Sequence, residues 1–499
     1  MLEKISPRLG ALLVMAAWGG AILYFGLVRF TPYGIDEGAA IALLLNWSVS
    51  DMIANPVTTF GGPDFRALLF IPLGMYWSGS MVAAKVFSLL VTFSAAMLLY
   101  AWTRRRNEPG SDETALIASG LLLIAPITIA QADAMAVAPF LLAMFGLGWL
   151  LDGKYRASEH RISSLYFLQA ILVAITVTLH PMGLAYPLAL AWRWHKDPKS
   201  ERQKKQVWLA IAIATGIVIA MQTGWIALGW FSNPLYALSH ALIGNADLDP
   251  LNEPRWIPGL ILALLLAVVL WQDARRLLDD LFGSSLLAAL LIGLLCADDS
   301  WGMVALALLL YRGTPLLIRL NQRLGRKGGF VAQRGLVMAV LFVTATVFMQ
   351  ADKGHATLLA SGQLSPSDEL IQALALEAED PEKPFLAASQ WPARTMLAAR
   401  RDVLPLPPAA DDGEAQLQIM KGLTHLIFDH NDPHYSALAR NLAEVSDRAK
   451  TLAILPGGVL IGIADPQAGK GSGEERAAPV AGDAPIVPEG DASAAADES

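Results

Sequence analysis

Long uninterrupted apolar runs recur along this sequence and limit what it can fold into. They are roughly 18 to 20 residues long, the length that an α-helix needs to cross the hydrocarbon core of a bilayer. The chain of 499 residues is 54% hydrophobic and only 16% charged, which is unusual for a soluble domain of this size. Segments of about ten residues with alternating polarity, typical of an outer-membrane barrel, are missing. The sequence therefore predicts a helical, multi-pass membrane protein.

These runs predict about eleven membrane spans. They lie near residues 9–29, 81–103, 114–131, 134–151, 164–179, 182–194, 207–231, 257–272, 284–297, 301–318 and 335–350. The first run is longer than the apolar part of a signal peptide and lacks a small-x-small cleavage site, so we interpret it as an uncleaved span. The only cysteine, Cys296, lies in an apolar run and reads as a small core residue.

Lysines and arginines concentrate in alternate connections between the runs, and this asymmetry predicts the orientation of the chain. Cytoplasmic loops are the ones rich in Lys and Arg. The basic groups lie at 4–8, 104–106, 154–161, 193–205, 275–276 and 319–334. We therefore expect an inner-membrane protein with a cytoplasmic N-terminus. The opposite, extracytoplasmic side would hold Asp36, Glu37, Asp133, His180 and the loop 232–256.

The segment 164–194 is too long for one upright helix, yet basic loops flank it on both sides. Two short spans that turn at His180-Pro181 satisfy both conditions. With an odd number of spans, the region after residue 350 falls outside the cytoplasm.

The composition becomes that of a small soluble domain between 351 and about 465. Predicted strands ("PFLAAS", "THLIFDH", "TLAILPGGVLIGIA") alternate there with predicted helices ("PSDELIQALALEAE", "DPHYSALARNLAEV"). This alternation predicts a compact α/β domain. The acidic tail 466–499 is rich in Ala, Gly and Pro and is expected to be disordered. Three parts result: a membrane domain 1–350, an extracytoplasmic α/β domain 351–465 and the tail.

Two adjacent acids, Asp36 and Glu37, interrupt the apolar sequence after the first span. The residues that follow suit a helix at the membrane interface. In one interpretation Asp36 is the N-cap of that helix and Glu37 a favourable acid in its first turn. In the other, the pair faces a substrate site. The two interpretations are compatible.

Three further polar residues within or beside spans each allow a structural and a functional interpretation. Lys85 either snorkels towards the headgroups or binds a lipid phosphate together with Arg66. Asp133 is either a helix cap or a site residue. His180 is either a buried histidine with satisfied hydrogen bonds or a donor to a phosphate oxygen.

Several chemistries are excluded or unsupported. The net charge of −7 and the dispersed basic groups argue against a nucleic-acid partner. The sequence has no Gly-rich phosphate loop and no nucleophile elbow. Polar residues of the loop 232–256, which ends near Arg255, match no metal-binding spacing.

The order of these features resembles the GT-C superfamily of glycosyltransferases over about residues 9–194. That order is an acidic pair after the first span, an interfacial helix, "GSMVAAKVFSLL" leading to an arginine run, and a span pair broken by Asp133. The likeness is greatest to the dolichyl-phosphate-mannose protein mannosyltransferases and to the bacterial aminoarabinose transferase of lipid A. The family's His-Pro-Pro-Leu segment has no clear match, and "GGPDFRALL" occupies its place.

The resemblance implies a GT-C-like membrane enzyme that moves a hexosyl or pentosyl group from a polyprenyl-phosphate donor to a lipid, glycan or protein acceptor, with inversion. Its first acidic motif falls on Asp36-Glu37 and its second acidic position on Asp133. Asp36 would then be the catalytic base and Glu37 would orient the acceptor or the sugar.

The family's basic position in the second span is Lys85 here, and His180 stands where the family often has a lysine. Arg66, Lys85, His180 and Arg255 would hold the phosphate. No cofactor is required, although the chemistry is compatible with a divalent metal. Two alternatives remain open: an enzyme like an O-antigen polymerase or ligase, and a non-catalytic membrane transport or assembly protein.

Overall fold

Each apolar run that the structure describes forms helix. The computed structural model describes residues 35, 37–46, 81–105, 111–157, 163–196, 256–296, 301–324, 366–380, 383–430, 432, 435–455 and 457–463. Asp36, Arg66, Arg255 and the runs near 9–29, 207–231 and 335–350 lie outside these residues. The helices before residue 325 are α1 (Glu37–Asn46), α2 (Met81–Arg104), α3 (Ser111–Ile124), α4 (Pro126–Asp133), α5 (Val137–Ala157), α6 (Ser163–Leu179), α7 (Ala185–His195), α8 (Trp256–Leu278), α9 (Leu281–Cys296) and α10 (Trp301–Leu324).

Within those ranges, three helical segments have both the length and the apolar composition of a membrane span. They are Ala83–Arg104, Val137–Ala157 and Trp301–Leu320. Shorter apolar stretches lie in α6, α8 and α9. The helical character is in agreement with the sequence, and the number of about eleven spans stays a prediction.

The predicted span 114–131 consists of two helices, α3 and α4, that meet at Pro126. Proline has no N–H to donate and its ring clashes with the preceding turn, so α3 ends at Ile124. Proline suits the first turn of the next helix, because the N–H groups there have no partner within the helix. The Thr128 N–H donates to the Ala125 carbonyl at 3.0 Å. The sequence prediction missed this break.

One end of the helix bundle is held by the carboxylate of Asp280, in the turn between α8 and α9. It accepts hydrogen bonds from the indole N–H of Trp102 on α2 at 2.5 Å and from that of Trp149 on α5 at 2.9 Å. Burial raises the pKa of the Asp280 carboxyl. Arg105 lies 4.6 Å from the centre of the Trp149 ring.

Three of the basic connections meet at this end. Besides Arg105, Arg193 at the end of α7 pairs with Asp152 on α5, and Lys196 bonds Asp279 at 2.7 Å. These three connections, which the charge pattern assigned to one face of the membrane, therefore lie together.

After residue 365 the chain forms an α/β unit with a five-stranded sheet in the order β2-β1-β3-β5-β4. Strands β1, β2 and β3 are parallel, whereas β5 is antiparallel to both β3 and β4. Its elements are α11 (Pro366–Glu377), β1 (Ala387–Ser389), α12 (Pro392–Ala399), β2 (Val403–Pro405), α13 (Gly413–Ile419), β3 (His425–Phe428), α14 (Ser436–Glu444), β4 (Ala449–Leu455) and β5 (Gly458–Ile463).

Helices cover both faces of this sheet, because successive strand residues point to opposite sides. On one side, Ala387 and Ile427 pack in a cluster with Met396 of α12. On the other, Ala388 and Phe428 pack in a second cluster that includes residues of α14. The predicted strands and helices form at their places, except that the stretch predicted as one strand, "TLAILPGGVLIGIA", forms the two antiparallel strands β4 and β5. The short elements α12, β2 and α13 were not predicted.

The first of these two clusters continues into the helical part of the chain. It includes Ala39, Ala40, Leu43 and Leu44 of α1, and α1 packs against α12. The helix predicted after the acidic pair, α1, is therefore an element against which the α/β unit packs.

Candidate functional site

A largely buried ion pair joins Lys85 of α2 to Asp133 of α4. The Lys85 Nζ lies 3.0 Å from Asp133 Oδ1, and the two side chains are 3% and 17% exposed. Lys85 occurs in the second turn of α2, roughly 28 Å along the helix axis from Arg104. Lys85 is therefore buried and paired, not extended towards the headgroups. A cation in an apolar helix is costly unless it has such a partner.

Asp133 is held in place by the turn that follows it. Asp133 is the last residue of α4, and α5 begins at Val137. In the turn, Met135 is buried and adopts a positive φ of 55°. The Met135 N–H donates to the Ala132 carbonyl at 3.2 Å, which closes the end of α4. A non-glycine residue in this conformation is unusual, and tight packing stabilises the turn next to Asp133.

Ser88 extends the polar surface next to Lys85 and was missed by the sequence reasoning. Residues three apart lie on the same face of a helix, so Ser88 follows Lys85 along α2. Its hydroxyl is buried, and the described part of the chain offers it no hydrogen-bond partner. In the sequence, the spacing of three residues from Lys85 is the pattern that could have indicated Ser88. A buried hydroxyl of this kind can donate to a ligand oxygen.

His180 lies where the sequence predicted a break between two helices. Helix α6 ends at Leu179, and a 3₁₀ turn, Pro181–Leu184, leads into α7. The His180 Nδ1 accepts a hydrogen bond from the Met182 N–H at 3.1 Å, so His180 caps this turn. In the neutral ring the proton is then on Nε2. The capping bond therefore leaves Nε2 as the donor of this ring.

Glu37 contacts the α/β unit. Its Oε1 accepts from the Ala393 N–H at 2.6 Å, and its Oε2 accepts from the Arg394 N–H at 3.2 Å. Both donors are in the first turn of α12. Glu37 is also the first residue of α1, as the interpretation of a favourable first-turn acid predicted.

Of the predicted site residues, the structure brings Lys85 and Asp133 together. It places Glu37 at α12 and His180 at the start of the 3₁₀ turn. Asp36, Arg66 and Arg255 lie outside the described residues, so their roles stay predictions. Among the side chains that are described, no three His, Cys, Asp or Glu residues are grouped as a metal site would need.

Comparison with known proteins identifies the fold through structure alone. No protein-family profile matches the chain, and no curated protein is similar to it in sequence. The oligosaccharyltransferase of Archaeoglobus fulgidus, in its apo form, superposes with a TM-score of 0.51 over 85% of this chain and 71% of that one, at 12% identity. The same organism's AglB in complex with an inhibitory peptide and a dolichol-phosphate gives a TM-score of 0.50 over 86% and 71%, also at 12% identity.

A third solved structure, ArnT from Cupriavidus metallidurans in the apo state, matches over more of both chains. It gives a TM-score of 0.50 at 12% identity and covers 93% of this chain and 100% of that chain. AglB and ArnT are both GT-C glycosyltransferases. The resemblance inferred from the order of acidic and basic residues is therefore confirmed for the fold, and this chain has the GT-C fold.

Proposed function

We propose that this protein is an integral-membrane glycosyltransferase that moves a sugar from a polyprenyl-phosphate donor to an extracytoplasmic acceptor. The buried Lys85–Asp133 pair in a GT-C fold is the observation that carries this proposal. A similar structure, that of AglB, was determined with a dolichol-phosphate, which has the same kind of headgroup.

The chemistry of the pair suits a phosphate that departs during the reaction. An ammonium group has three donors, so Lys85 can donate to a phosphate oxygen while it remains bound to Asp133. The phosphate gains negative charge as its bond to the sugar breaks, and a fixed cation in a water-poor site stabilises that charge. Asp133 keeps the Lys85 Nζ in place. We assign further phosphate contacts to Arg66, His180 and Arg255.

The proposed base is Asp36. It removes the proton from the acceptor hydroxyl while that oxygen attacks the anomeric carbon, and the bond from this carbon to the phosphate oxygen breaks. The bonding electrons leave with the polyprenyl phosphate, so no general acid is needed for this leaving group. Attack opposite to the leaving group inverts the anomeric centre.

The test is reconstitution of the full-length protein in vesicles that contain dolichyl- or undecaprenyl-phosphate monosaccharides as donors, together with an extract of cell-envelope lipids and glycans as the source of acceptors. Release of free polyprenyl phosphate is measured, because this product does not depend on which acceptor is used. We expect release with wild type and a loss of about 10²-fold or more for Asp36→Asn, since a positioned base contributes at least that factor. Lys85→Met should lower the rate further than Lys85→Arg, which keeps the positive charge.

Asp412→Asn is the matched control, because Asp412 is an exposed helix cap in the α/β unit that bonds the Ala415 N–H at 2.8 Å. It should release polyprenyl phosphate like wild type. Equal rates for wild type, Asp36→Asn and Lys85→Met would refute the assignment. A reporter fused after Gln350 tests the predicted topology, and a cytoplasmic signal from it would contradict an extracytoplasmic α/β unit.

A further inference from the structure

The α/β unit has the strand order that creates a ligand crevice in doubly wound proteins. Strand β1 lies between β2 and β3, and all three are parallel. The chain therefore leaves β1 towards one side of the sheet, through α12 to β2, and later returns on the other side as β3. At such a switch point, parallel α/β sheets bind ligands beyond the carboxyl ends of the strands. Anionic groups are held there by the N-terminus of the helix after β1.

In this protein a carboxylate of the same chain occupies that anion position. Helix α12 is the helix after β1, and its cap residue Trp391 supplies no side-chain hydrogen bond. The Ala393 and Arg394 N–H groups instead donate to the two carboxylate oxygens of Glu37, which is more than 350 residues away in sequence. A negative charge at this end of α12 is also favoured by the helix dipole.

Two further contacts make this more than an isolated hydrogen bond. Helix α1, which begins at Glu37, buries Ala39, Ala40 and Leu43 in the apolar cluster that contains Met396 of α12. The Arg394 guanidinium bonds Asp368 of α11 at 2.5 Å, and these side chains are 12% and 3% exposed. Glu37 is thus fixed to a helix that is itself anchored in the α/β unit.

We propose that Glu37 is a positioning residue that fastens the α/β unit to α1, the helix that directly follows the proposed base Asp36 in the chain. The proposal rests on the proposed function, because Asp36 is the base only in that reaction. Glu37 then takes no part in proton transfer. Because Glu37 directly follows the proposed base in the chain, we expect release of the unit to lower the rate, since a displacement of about 1 Å at a reacting group costs about 10²-fold.

The docking contact is tested by hydrogen–deuterium exchange of the purified full-length protein. Peptides that cover 391–399 should exchange about tenfold faster in Glu37→Ala than in wild type, since the first turn of α12 loses its capping acceptor. Glu37→Gln keeps one acceptor oxygen and should fall between them. Asp36→Asn and the control Asp412→Asn should leave this exchange unchanged. Unchanged exchange in Glu37→Ala would overturn the docking role.

Turnover separates positioning from direct catalysis. Met396→Ala weakens the packing around α12 without touching the Glu37 carboxylate. If Glu37 acts through docking, Met396→Ala and Glu37→Ala should both exchange faster and both lower kcat by about ten- to a hundredfold, with KM for the donor unchanged.

A loss of kcat confined to the Glu37 variants, with 391–399 still protected in Glu37→Gln, would overturn the positioning role and make Glu37 a catalytic residue. Faster exchange with kcat unchanged would also overturn it. Failure of the proposed function is a different result, because it removes turnover from wild type and leaves the exchange experiment intact.

Discussion

The Lys85–Asp133 pair allows a quantitative prediction in which the single and double variants behave differently. The Lys85 Nζ and the Asp133 Oδ1 are 3.0 Å apart. Two opposite unit charges at that distance attract each other by about 5.5 kcal/mol when the effective dielectric constant is about 20. Removing the two groups from water costs several kcal/mol for each ion, so the pair adds little net stability. Removing one group, however, leaves the other charge in the protein interior without its partner in this ion pair.

We therefore expect Lys85→Met and Asp133→Asn each to destabilise the protein by about 3 to 5 kcal/mol. The double variant Lys85→Met/Asp133→Asn should recover most of that loss, because neither charge remains. The measurement is the thermal unfolding temperature in detergent, and each single variant should lower it by about 3 to 5 °C, since a chain of 499 residues has an unfolding entropy of about 1 kcal/mol/K. Wild type and all variants are compared at one heating rate, since membrane proteins can unfold irreversibly.

Function should follow a different order from stability. The double variant regains stability but still lacks the cation, so polyprenyl phosphate release should stay as low as in Lys85→Met. Unfolding temperatures of both single variants within about a degree of wild type would refute the buried pair, since exposed ion pairs are worth only about 0 to 1 kcal/mol. Recovery of transfer along with stability would show that the pair is structural only.

Two further predictions concern packing and pH. At Gly183 an added Cβ would lie 1.6 Å from the Thr176 carbonyl oxygen, so Gly183→Ala should force the backbone apart and lower the unfolding temperature. At Gly120 an added Cβ would meet nothing within 4 Å, so Gly120→Ala should raise the unfolding temperature slightly, because alanine favours the helix. Equal effects of the two would contradict the close approach. The pKa of Asp280 is raised above its ordinary 3.8 by burial, so its contribution to stability is fully present below pH 3.8 and falls as the pH rises through the raised pKa. The unfolding temperature of wild type relative to Asp280→Asn should therefore fall as the pH rises above about 4, and a difference that does not change with pH would contradict burial of this carboxyl.

The sequence determined those features that depend on composition and on neighbours in the chain. Apolar runs must form helices in a bilayer because every backbone N–H and C=O needs a partner there. The break after Leu179 was readable from His180-Pro181, and the α/β unit from alternating short patterns. The order of Asp36-Glu37, Lys85 and Asp133 can be read directly from the sequence, and this order indicated the GT-C fold.

Only the tertiary structure decided which charges meet. The sequence could assign Lys85 either to the headgroups or to a site, and the packing of α2 against α4 pairs it with Asp133. The partners of Glu37 were even less predictable from the sequence. They lie beyond residue 390, at the start of a helix that was too short to predict. Contacts between residues so distant in sequence depend on how whole elements pack, and no local pattern encodes them.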